Sequence, residues 1–269
     1  MKFKMRVGWW ELLVAVAVGL AVIVTVKYFG KGYEKEVVRI DFISNVSDGR
    51  GGQYYPSWFN NVLKVGDEER GPDGRVSARL LKKDSYQQGD ERFKYYFVIE
   101  LVGMRDKRSG FLKYKGRPVQ VGQEIEIDFP DARVGGIVTH TGEASYLKKV
   151  NYLVDFKWEN QDRTVAEKIK IGQTVLNFGT NEEIGKVEKV NITPAGNRLL
   201  AVGTMYGGTQ LMTNPDWVDV SFRMKLATEV DGGISVYAGH QKVKVGEPLW
   251  IYGEAVDTQE VKVVGLTRL

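Results

Sequence analysis

Leu63-Lys64-Val65-Gly66, Val119-Gln120-Val121-Gly122, Ile169-Lys170-Ile171-Gly172 and Val243-Lys244-Val245-Gly246 are one phrase written four times. Each sets two apolar residues around a polar one and ends on glycine. The pattern predicts a short strand closing in a turn, where glycine supplies a positive φ or a close backbone approach. A longer alternating segment precedes each phrase. The first carries Val38, Ile40 and Phe42, and the second Phe93, Tyr95, Phe97, Ile99 and Leu101. The third carries Val150, Tyr152, Val154, Phe156 and Trp158, and the fourth Val218, Val220, Phe222, Met224 and Leu226. A period of two puts each set on one face of a strand, so the four sets are candidate core faces.

The downstream halves also correspond. Ile137, Val187 and Val261 stand at one shared offset from Gly122, Gly172 and Gly246, with Gly135 and Gly185 two residues earlier and Gln259 departing. The first copy is irregular here, reading GPDGRVSARLL. Four copies of a unit of roughly 50 residues follow from this. Paired units predict an all-β fold of two tandem small β-barrel or sandwich modules, residues 33–141 and 145–269, because closure hides sheet edges. Thr141 to Ala144 would lie between them, and Asn191 to Pro215 would add a hairpin to the second.

Ahead of the β units runs LLVAVAVGLAVIVTV, Leu12 to Val26. As a helix it spans ~22 Å, and extended from Val7 to Phe29 it spans ~34 Å, against a bilayer core of ~30 Å. Trp9, Trp10, Tyr28 and Phe29 then fall at the two membrane interfaces. The exit VTVKYFGKGYEKE has no small-x-small cleavage site, so residues 1–30 read as an uncleaved transmembrane helix rather than a signal peptide. The expectation is a single-pass protein of the cell membrane, lipid-bound through this helix, with its β domain outside the cytoplasm.

Charge separates the two parts. The formal net charge is +4, and residues 1–31 carry all of it through Lys2, Lys4, Arg6, Lys27 and Lys31 against Glu11. The β part is neutral, which argues against nucleic acid as a partner. No cysteine is present, which excludes disulfides, thiolate catalysis and Cys-ligated zinc. His140 and His240 are the only histidines, each near an expected turn, and they read as solvated loop residues. No phosphate-binding loop, nucleophile elbow or metal motif occurs. The reading is a protein without enzymatic activity, cofactor or metal. Tyr54, Tyr55, Trp58 and Phe59, in QYYPSWFNNVL, offer either a partner or membrane contact or a plug over one barrel end.

Ile169 to Val190, IKIGQTVLNFGTNEEIGKVEKV, resembles the phrase of a bacterial and archaeal family known as domain of unknown function 4330. That resemblance implies a basic start, one membrane helix and β units, with no catalytic residues to carry over. It points to a non-catalytic binding or scaffold module of the prokaryotic cell envelope, with an envelope protein as partner. Gly172, Val175, Gly179, Gly185 and Val187 are also similar to the mammalian-cell-entry domain of lipid-transport proteins, with two extra residues before the final Gly-x-Val. This second likeness implies a homo-oligomeric ring carrying lipid or another hydrophobic ligand.

Overall fold

The computed structural model describes residues 9, 10, 14, 16–20, 32–42, 55–89, 92–196, 199–203, 207–213, 216–253 and 257–269. Beyond the N-terminal segment it is all-β. The first sheet holds β1 (Glu34–Phe42), β2 (Tyr55–Pro56), β3 (Glu68–Arg70), β4 (Val76–Gln87), β5 (Arg92–Arg105), β6 (Leu112–Tyr114), β7 (Arg117–Pro118), β8 (Glu124–Asp128) and β9 (Arg133–Thr141). The second holds β10 (Lys148–Asp162), β11 (Thr174–Asn177), β12 (Glu182–Pro194), β15 (Trp217–Asp231), β16 (Ile234–Tyr237), β17 (Gln241–Lys242), β18 (Pro248–Tyr252) and β19 (Asp257–Arg268). Between β12 and β15, β13 (Leu199–Gly203) and β14 (Thr209–Thr213) form a separate hairpin.

The two sheets share one wiring. The first runs β3-β4-β5-β1-β9-β8 and the second β11-β12-β15-β10-β19-β18, antiparallel throughout. Exchanging β1, β3 and β4 with β5, β8 and β9 turns the first path into its own reverse. The lead strand of each half therefore pairs with the hairpin of the other half. The long alternating segments are β1, β5, β10 and β15, and their inward sets are buried except Tyr152, which is half-buried. Burying each of these large side chains contributes ~1.5–3 kcal/mol.

All four glycine phrases adopt one geometry. Gly66, Gly122, Gly172 and Gly246 have φ of 99°, 86°, 89° and 94°, which an L side chain adopts only under strain. Their amides donate to the carbonyls of Leu80, Val138, Val187 and Val263, each at 2.8 Å. Two features differ from the sequence reading. The phrase is not the end of a strand; β3, β8, β11 and β18 begin after the glycine. The true counterparts of Val187 are Leu80, Val138 and Val263, so Ile137 and Val261 are offset by one and two residues, and Gly136 rather than Gly135 matches Gly185. Hairpin loops and bulges of unequal length shift the counting, and the first copy is regular once they are included.

Both sheets curl until their edge strands approach. In the first, Glu69 on β3 accepts the Asp128 amide of β8 at 2.9 Å and the Ser77 hydroxyl at 2.6 Å, and it also holds Lys115 and the Tyr114 hydroxyl. Burial pushes the Glu69 carboxyl up, but the four donors outweigh it and its pKa falls below the usual carboxylate value. In the second sheet Val175 takes the place of Glu69, and Tyr237, the counterpart of Tyr114, keeps a buried hydroxyl with no partner. Opposite responses are expected. Tyr237→Phe should raise stability by about 1 kcal/mol, and Tyr114→Phe should lower it by about 1 kcal/mol. Urea denaturation midpoints of the two variants check this; equal shifts would show that the hydroxyls are equivalent.

Among the described residues no helix is long and apolar enough to cross a membrane. Within the expected anchor, Trp9, Trp10, Val14 and residues 16–20 are described, helical and mostly exposed. The rest of that segment, Tyr28 and Phe29 included, lies outside the described residues.

Candidate functional site

The joint between the sheets comes first, because it positions everything beyond it. Arg39, on the outward face of β1, is buried with its guanidinium 3.0 Å from Glu229 and 3.7 Å from Asp84. Lys82 holds Asp84 at 2.7 Å, and the Asn177 side-chain amide donates to Asp84 at 2.8 Å. Asn177 also accepts the Ser85 amide at 2.9 Å, and the Phe178 amide donates to the Ser85 carbonyl at 2.9 Å. Aromatic residues cross in both directions. Tyr86 and Tyr96 of the first sheet belong to the second core, and Phe178 packs on the first, 5.0 Å from Phe93. Desolvation raises the pKa of both tyrosines well above the ordinary value. The segment between the sheets is no free linker: Ser145 is fully buried and its hydroxyl donates to the Val37 carbonyl at 3.0 Å.

Sequence reading missed this joint, and with it the setting of His140. His140 lies within β9, opposite Arg39, with Nε2 3.0 Å from Asp231 of the second sheet. His240 follows the turn Tyr237-Ala238-Gly239, whose glycine lies against the Tyr96 ring. Both histidines, with Arg39, Asp41 and Tyr96, line one inter-module cleft of about 470 Å³. Partial burial and nearby Lys94 pull the His240 pKa below its usual value, although its outer edge stays exposed. The Ala238 carbonyl and Asp41 oppose that shift. Among the described residues no three metal-ligating side chains gather.

The aromatic patch is divided. Phe59 is buried and stacks on Phe42 at 5.3 Å, with Tyr95 edge-on at 5.3 Å, so it plugs the first core. Trp58 is 61% exposed beside it. Tyr55 pairs through its backbone with Phe93 on β5, and Tyr54 lies outside the described residues. Lys83 secures this end by donating to the carbonyls of Asn60 and Leu63 at 2.5 and 2.8 Å.

A concavity of about 1560 Å³ lies on the second sheet. Two bulges shape it. Asn160 on β10 and Glu260 on β19 have φ of 55° and 51°, a left-handed conformation that non-glycine residues adopt at a strain of about 1–3 kcal/mol. Their neighbours Glu159 and Gln161, and Glu260 itself, line the groove. A short helix, Arg163–Ala166, capped by the Asp162 carboxylate on the Thr164 amide at 2.8 Å, leads into one wall. Lys157, Lys168, Lys170 and Lys262 face this space together with Glu159, Glu167 and Glu260. Trp250, 42% exposed on β18, supplies a flat apolar face, and its backbone is held by the Gln241 amide at 2.8 and 2.9 Å.

Fold and site together define a class: two curled antiparallel sheets of identical wiring, fused by a buried ionic joint, with an open mixed-charge groove on the second. Comparisons with known protein families, with curated proteins and with solved structures return no match.

Proposed function

We propose that the chain is a membrane-anchored, non-catalytic β-domain protein of the prokaryotic cell envelope that docks a protein partner in the groove of its second module. The apolar run Leu12 to Val26, with aromatic flanks, supports the anchor. The wiring shared by both sheets and the four alike glycine turns support a chain built from four copies of one unit. One observation carries the docking reading. Along β10 the joint lies at Lys149, paired with Glu229, while the groove begins at Lys157, about eight residues or ~26 Å further on. The groove therefore lies toward the end of β10 away from the joint with the first module. Its lysines and glutamates around Trp250 suit a polypeptide of mixed charge, for which an exposed tryptophan is a common anchor.

The test is a photoreactive residue at position 250 in living cells, with the same residue at exposed Tyr146 as control. The expected result is a discrete crosslinked protein from position 250 alone. No product from 250, or the same products from both positions, overturns the docking reading.

A further inference from the structure

We infer that the hairpin between β5 and β6 rests on the surface of an anionic bilayer. This deepens the anchored reading and rests on it. β1 begins at Glu34, which pairs with Gly103, so the chain enters the first module where β5 ends. From Val26, the last residue of the apolar run, to Glu34 is eight residues, a reach of at most ~28 Å. The hairpin tip, residues 106–111, hangs from that same end of β5. The ionic and aromatic joint to the second module lies further along β5, from Val98, opposite Arg39, to Phe93.

The tip has the composition of a membrane-surface contact. Met104 and Phe111 flank it, 46% and 42% exposed. Lys107 and Arg108, both exposed, lie between them, and among the described residues no ion pair or hydrogen bond engages either side chain. The acid in the loop is consumed internally. Asp106 takes the Lys113 ammonium at 2.5 Å and the amides of Arg108 and Ser109 at 2.8 and 3.1 Å, which holds its carboxyl down at about 2. Arg105 is turned back onto Glu34, Glu36 and the Gly110 carbonyl. The loop's carboxylate is thus paired within the loop, while two cations without a partner among the described residues project beside apolar residues. Each cation near an anionic surface strengthens partition by about fivefold, and the two apolar side chains add burial at the headgroup boundary. Trp58 is placed differently: its neighbour Tyr55 pairs with Phe93, about ten residues or ~33 Å along β5 from Gly103. The membrane contact therefore belongs to the hairpin and not to the aromatic patch.

The chain has no cysteine, so single labels are clean. Full-length protein carrying a fluorophore at Ser109→Cys is reconstituted into phosphatidylcholine vesicles with and without phosphatidylglycerol, using brominated acyl chains as quencher. Val18→Cys reports on the anchor and Trp58→Cys on the far end. The expected pattern is quenching at 18 in both lipids, at 109 only with phosphatidylglycerol, and at 58 in neither. Adding Lys107→Glu and Arg108→Glu should abolish the signal at 109 and leave that at 18. Quenching at 18 without any at 109, or at 109 regardless of lipid charge, overturns the inference while the anchor stands. No quenching at 18 overturns the anchor and the hairpin contact together.

Discussion

Arg39→Met is expected to destabilise the protein by about 3–5 kcal/mol, because it leaves two carboxylates buried without their shared cation. Asp84 is fully buried and retains Lys82 and Asn177, but Glu229 would keep only Lys82, 3.8 Å away. Lysine at position 39 should rescue little. A single ammonium cannot present the guanidinium's plane to the Tyr96 ring, 5.0 Å from its carbon, while reaching both acids. Adding Glu229→Gln to Arg39→Met should recover part of the loss, since it removes the stranded charge. Urea denaturation of the three variants is the measurement. A loss below 1 kcal/mol for Arg39→Met would mean that water reaches the joint and screens it.

Gly179→Ala should act on the same joint through sterics alone. A Cβ there would stand 2.2 Å from the Lys83 carbonyl oxygen and 2.8 Å from its carbon, both backbone atoms that cannot rotate away. Overpacking of this kind costs at least about 1–3 kcal/mol, and relief requires the two modules to separate. Separation would break the Phe178-to-Ser85 backbone bond and the Asn177 contacts. The expected calorimetric trace is one cooperative transition for the unaltered protein and two for the variant. A single transition shifted in temperature would show that the modules adapt without parting.

These two predictions concern the part of the molecule that was least legible in the sequence. Alternation identified the inward faces of β1, β5, β10 and β15 because each strand has one apolar side and the core demands it. The same alternation assigns Arg39, Tyr96 and Val98 to the solvent side. They are buried because a second sheet covers them, and nothing local to β1 or β5 announces that cover. An arginine between valine and isoleucine looks the same whether water or Glu229 lies beyond it. Register suffered for a related reason. The glycine turns were visible as a phrase, but bulges of one or two residues slid Val138 and Val263 away from the shared offset. The groove was hidden too, since it depends on β10, β18 and β19 meeting and on two left-handed residues, Asn160 and Glu260. Asparagine tolerates that conformation better than most residues, but a single asparagine does not announce it, and glutamate still less.

The crossed wiring has a consequence for how the chain is made. β1 is the first strand to be synthesised, yet its two neighbours are β5, starting at Arg92, and β9, ending at Thr141. Until those residues have left the ribosome, β1 has both edges unpaired, and the β3–β4 hairpin waits for β5. The second half repeats the delay, since β10 pairs with β15 and with β19 at the chain's far end. A nascent chain of this kind exposes apolar strand edges until late in the synthesis of each module, a period in which aggregation competes with folding. In that second half the Leu269 amide pairs with the Asn151 carbonyl at 3.0 Å, joining residues far apart in the chain.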